Sequence, residues 1–103
     1  MGTKLAPAEE ELYRRTDEVL HYVWDPIGVA GTPLARDEYF GYLPQVFRLI
    51  QANASAEQIA AYLEEVTTVG MGLPANSGRA LKVANILLHW KETVASKFDF
   101  LQR

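Results

Sequence analysis

The chain has no cysteine. That absence excludes a disulfide framework and any thiolate metal centre, zinc fingers included, and nothing in the sequence calls for an oxidising compartment. No stretch approaches the roughly 18 consecutive apolar residues of a membrane-spanning helix. The first residues also lack the basic leader and apolar run of a secretory signal, so a soluble, cytoplasmic protein without a membrane partner is expected. Strand-like alternation of useful length, internal repeats and low-complexity tracts are missing too. Basic residues are outnumbered, with ten Lys and Arg against 13 Asp and Glu for a net charge of −3. This balance argues against nucleic-acid binding.

What the chain does have is the composition of one folded domain: 103 residues, 49% hydrophobic and 22% charged. A chain of this length buries roughly 65% of the surface its unfolded form exposes, which is enough for one core. The expected architecture is all-α, a compact four-helix domain over residues 1–103, with flexible ends at about 1–6 and 99–103 and a long Pro/Gly loop between helices 1 and 2.

Pro7 suits a first helical position, and Glu9, Glu10 and Glu11 suit the positive end of a helix. Leu12, Thr16, Val19, Leu20 and Val23 then recur at helical spacing, until Pro26 disfavours helical geometry at Asp25 and ends the helix near Trp24. Pro26, Gly28, Gly31 and Pro33 punctuate the following loop. A second apolar stripe runs from Tyr39 through Ile50, and Pro44 within it is tolerated if the regular helix starts only a residue or two earlier, after an irregular entry turn over Asp37 to Gly41, and otherwise kinks a longer helix. Ser55 and Gln58 match a capping box for a third helix that Gly70, Gly72 and Pro74 terminate. Asn76 or Ser77 can cap the last helix, whose two apolar faces mark it as central. Residues 9–38 hold eight acids and three arginines, whereas residues 79–103 hold five basic residues and two acids. Side-by-side packing of the first and last helices would explain that asymmetry, and an acidic face for a basic partner is the functional alternative.

Candidate site residues cluster around the proline bend: Trp24, Asp25, Arg36, Asp37, Glu38, Tyr39 and Tyr42. Trp24 and Asp25 have a structural reading as a buried ring and a turn-forming carboxylate. Their functional reading groups Asp25 with Asp37 and Glu38 in an acidic cluster for lysine or arginine on another protein, with exposed tyrosines beside it. Because Tyr39, Phe40 and Tyr42 exceed what one helix face can bury, part of this set should be exposed.

No catalytic or cofactor signature accompanies them. Glu64 and Glu65 are neighbours about 100° apart on a helix, so they cannot share a proton and read as solvated. The glycine pairs Gly28/Gly31 and Gly70/Gly72 lack the strand, helix and Lys-Ser/Thr context of a phosphate loop. His21, Asp25 and His89 could line a pocket in a small enzyme or ligand-binding domain, but no third metal ligand has recognisable spacing.

The order of a first helix, Trp24-Asp25-Pro26-Ile27-Gly28-Val29, Arg36-Asp37-Glu38-Tyr39, Leu43-Pro44-Gln45-Val46-Phe47 and Met71-Gly72-Leu73 resembles a group of small bacterial helical proteins, the YugE-like domains, over roughly residues 12–92. The resemblance implies an all-helical fold and, for some related proteins, an association with toxin and immunity cassettes. It transfers no catalytic residues, and Gly31-Thr32-Pro33 and Pro44 make this loop longer and stiffer than the group's shorter versions. The reading is therefore a non-enzymatic protein-interaction domain needing no cofactor, in the manner of an immunity protein or antitoxin, that blocks a basic toxin surface. A homodimer through surplus apolar surface on the last helix is a further possibility.

Overall fold

Proline at the first helical position and acids in the first turn start α1 (Pro7–Val19), where Glu9 Oε1 accepts the Ala6 backbone N–H at 2.9 Å. The computed structural model describes residues 5–101 and contains no strand among them; positions 1–4 and 102–103, part of the expected flexible ends, lie outside the described residues. α1 buries Leu12, Thr16 and Val19 along one stripe, with the Thr16 hydroxyl donating to the Leu12 carbonyl at 2.8 Å. Its last turn then widens into a π-turn, Leu20–Trp24, closed by the Asp25 N–H on the Leu20 carbonyl at 3.1 Å.

From Asp25 the chain passes through successive turns and one short 3₁₀ turn, Pro33–Ala35, before α2 (Leu43–Gln51) begins. Pro44 falls in the first turn of α2, where a missing N–H leaves no helical bond unmade. α2 ends in a Schellman motif. Asn53 is left-handed at φ 63, its N–H reaches Ile50 O at 3.2 Å, and the Ala54 N–H reaches Leu49 O at 3.0 Å.

α3 (Ala56–Glu65) opens on the Ser55–Gln58 capping box, with both reciprocal bonds made at 3.1 and 2.8 Å. It ends in a second π-turn, Val66–Gly70. Asn76 Oδ1 then accepts the Arg79 N–H at 3.1 Å and leads into α4 (Ser77–Leu101), at 25 residues the longest element.

α4 packs against the other three helices, and Leu20, Val46, Ile50, Ile59, Leu63, Val83 and Leu87 are sealed in the centre. α1 and α4 lie antiparallel, because Lys97 bonds Glu11 at 2.8 Å while Arg15 sits 5.0 Å from the Trp90 ring. The acidic first helix and the basic last helix are therefore neighbours. No helix among the described residues is long and apolar enough to cross a membrane. One sequence expectation needs correction: Glu64 is not simply solvated, since it accepts the Asn76 N–H at 2.9 Å and the Ser77 hydroxyl at 3.1 Å, tying the end of α3 to the start of α4.

Candidate functional site

Pro26 denies Asp25 the helical conformation, and Asp25 takes up a left-handed one at φ 33, ψ 60. That turn swings its carboxylate back over the bend. Oδ1 accepts the Val29 N–H at 2.7 Å and the Tyr39 hydroxyl at 2.7 Å, while Oδ2 accepts the Ala30 N–H at 3.1 Å. The Tyr39 oxygen in turn accepts the Ile27 N–H at 3.1 Å. Burial works to raise the carboxyl pKa, but the bonds from Tyr39 and from the Val29, Ala30 and Gly28 amides outweigh it and hold Asp25 below its ordinary value. Burial first, then the bond to Asp25, pushes the Tyr39 phenol well up, so it stays a protonated donor.

Trp24 closes this lock from beneath. Its ring is 2% exposed and packs 5.2 Å from Tyr39 and 6.2 Å from Tyr42, edge-on to the latter, while its carbonyl accepts from Arg79 at 3.2 Å. Three residues expected to face a partner thus turn inward: Trp24 and Tyr39 are buried, and both oxygens of Asp25 are occupied. The cause is the bend itself, whose backbone N–H groups would lack partners without that carboxylate. Tyr42 is half-buried against Trp24.

The other expected residues point outward. Asp37 and Glu38 are exposed and make no ion pair among the described residues, whereas Arg36 is anchored through a two-point pair with Asp17 at 3.0 and 2.9 Å. The hydrogen bonds to Asp17 are the main reason its pKa is raised. Pinned this way, the guanidinium lies 5.3 Å from the Tyr22 ring and 6.0 Å from the Phe40 ring. Tyr22 is 58% exposed and Phe40 49%. Ile27 and Leu34, on the same segment, are exposed as well. Phe40 belongs to the aromatic set of which part is expected outside, whereas Tyr22, Ile27 and Leu34 are not among the site residues expected from sequence; for Tyr22 the available signal is that helix spacing buries Val19 and Leu20 and leaves it outside that stripe.

The pocket imagined around His21, Asp25 and His89 is not assembled. His21 is buried, its Nδ1 without a hydrogen-bond partner among the described residues, 4.5 Å from the Tyr22 ring and 6.4 Å from the Tyr39 ring, and His89 is exposed on α4. Among the described residues no hydrogen bond joins any two of the three, and no three His, Asp or Glu side chains are grouped to hold a metal ion. A cleft of about 140 Å³ does separate the two π-turns, between Trp24 and Pro26 on one side and Glu64, Thr67 and Leu73 on the other. Arg79 and Glu64 line it, and both already bond to protein. No protein-family model, curated protein or solved structure matches the chain.

Proposed function

We propose that the protein is a binding module that docks a basic protein surface on the outer face of the bend. The observation that supports this reading most directly is the pinned Arg36 between two half-exposed rings, Tyr22 and Phe40. Anchored arginine and aromatic groups are what tight interfaces use as anchors, because little side-chain entropy remains to be lost on binding. Of nine large apolar side chains exposed among the described residues, Tyr22, Val23, Ile27, Leu34 and Phe40 fall within residues 22–40. Such concentration marks an interaction face more than scattered exposure does.

Charge selects the partner. Asp17 neutralises Arg36, so the charges on this segment that make no ion pair among the described residues are Asp37 and Glu38, and the complementary surface carries lysine or arginine around an apolar centre. Trp24, Asp25, Tyr39 and Tyr42 serve the same function from within, by holding the face in shape. The immunity-protein form of this proposal, with a basic toxin domain as the occluded partner, draws its support from the resemblance to the YugE-like group.

Capture on immobilised protein tests it. A partner retained by the wild-type chain is lost with Phe40→Asp, weakened by the pair Asp37→Lys and Glu38→Lys, and released by raised salt. A partner that binds all three proteins equally, or no retained partner at all, overturns the proposal.

A further inference from the structure

The docking face leaves one feature of the molecule unused, the cleft between the two π-turns. Single π-turns gather at functional sites, and here Trp24 of the first and Thr67 of the second border the same space. The cleft holds about 140 Å³. That is well below the roughly 300–1,000 Å³ of sites for drug-sized ligands, so only a small molecule fits. Pro26, Leu73 and Pro74 give it apolar walls, and two opposite charges, Glu64 and Arg79, line it as well. Among the described residues those charges make no ion pair with each other. Each is held by other bonds: Arg79 Nη1 donates to the Trp24 carbonyl at 3.2 Å, while Glu64 accepts the Asn76 N–H at 2.9 Å and the Ser77 hydroxyl at 3.1 Å. A guanidinium offers five N–H donors and a carboxylate about four acceptor positions, so both keep capacity for a ligand. Trp24 adds a third polar group. The residue is 2% exposed, yet its indole N–H, which has no hydrogen-bond partner among the described residues, is not sealed from solvent. A tryptophan buried to that degree ordinarily gives its N–H to a partner.

We infer that this cleft binds a small zwitterion of the α-amino-acid class, with its carboxylate on Arg79, its ammonium on Glu64 and an apolar side chain against Pro26 and Leu73. The two opposite charges select that chemistry. A simple anion would meet the Glu64 carboxylate and a simple cation the Arg79 guanidinium, each a like-charge contact that lowers affinity. A ligand carrying both signs meets an opposite charge at each end. Because the Trp24 carbonyl already holds Arg79, less side-chain freedom is lost on binding. The indole N–H of the same tryptophan is a further donor for the carboxylate.

Titration of the intact, isotope-labelled chain with free leucine, valine and proline tests this by nuclear magnetic resonance. The indole N–H signal of Trp24 is the reporter, and that of Trp90, on α4 beside Arg15, is the internal reference. At least one of the three amino acids shifts the Trp24 signal saturably and leaves Trp90 in place. The N-acetyl form of that amino acid, which lacks the ammonium, and its amide, which lacks the carboxylate, each bind about tenfold or more weakly, the loss expected for one charged hydrogen bond. Arg79→Met and Glu64→Gln weaken the free amino acid to a similar degree. Glu64 also ties α3 to α4, so circular dichroism accompanies both variants, and the exposed Arg79 decides the matter if Glu64→Gln unfolds. Phe40→Asp, on the bend, binds the amino acid as the wild type does and separates this site from the proposed partner face. No shift of Trp24 with any of the three, a shift shared equally by Trp90, equal binding of the N-acetyl or amide form, or undiminished binding by Arg79→Met would each overturn the inference.

Discussion

Asp25 illustrates how one side chain can fix a backbone. Its left-handed conformation costs about 1–2 kcal/mol for most residues and less for aspartate, asparagine or glycine, and its carboxylate then satisfies two amides and a phenol that the bend would otherwise leave short of partners. Tyr39→Phe removes the phenol that both donates to Asp25 and accepts from Ile27. A loss of about 1–3 kcal/mol in urea unfolding is expected, because a buried polar contact is left half made. The pH dependence follows from the sign of the shift. A carboxyl held below its ordinary value lends stability that is fully present above the unfolded pKa, near 3.9, and is lost as pH falls through the lower folded value. Asp25→Asn should lower stability at neutral pH and flatten its decline below about pH 4. Urea midpoints measured across that range for both proteins check it, and parallel curves would refute this role.

Among the elements, those with local chemistry at their ends were readable and those closed by tertiary fit were not. Pro7 with its glutamates, and Ser55 with Gln58, announce α1 and α3 because their caps lie within three residues of each other in sequence. The two π-turns carry no such mark. Each is closed by a bond from residue i to i−5, Asp25 to Leu20 and Met71 to Val66, a geometry that periodicity over so few residues does not distinguish from an ordinary turn. The Schellman end of α2 was hidden as well, since Asn53 supplies the left-handed residue where glycine would have signalled it. Two substitutions check these assignments by thermal or urea unfolding. Ser55→Ala should cost about 1 kcal/mol. Asn53→Ala should cost about 1–2 kcal/mol for the left-handed backbone, and Asn53→Gly should recover most of it.

For the molecule as a whole, the all-helical class was legible because the core positions of α4 and its neighbours recur at one period, and Val46, Ile50, Ile59, Leu63, Val83 and Leu87 are indeed its sealed centre. The bend was only half legible. Sequence shows that Trp24, Asp25, Tyr39 and Phe40 crowd one region, but once the backbone leaves the helix no period says which of two adjacent aromatics turns in. Here Tyr39 is 2% exposed and Phe40 49%. The bend is therefore a locked frame beneath an outward face, and those two neighbours divide the work between them.

A paired measurement of unfolding free energy and partner retention, made on Phe40→Asp beside Tyr39→Phe, bears on that division most directly. A frame carrying a docking face predicts that Phe40→Asp keeps stability within about 0.5 kcal/mol and loses the partner, while Tyr39→Phe loses stability and, where still folded, keeps the partner. Full retention of the partner by a folded Phe40→Asp protein would contradict it.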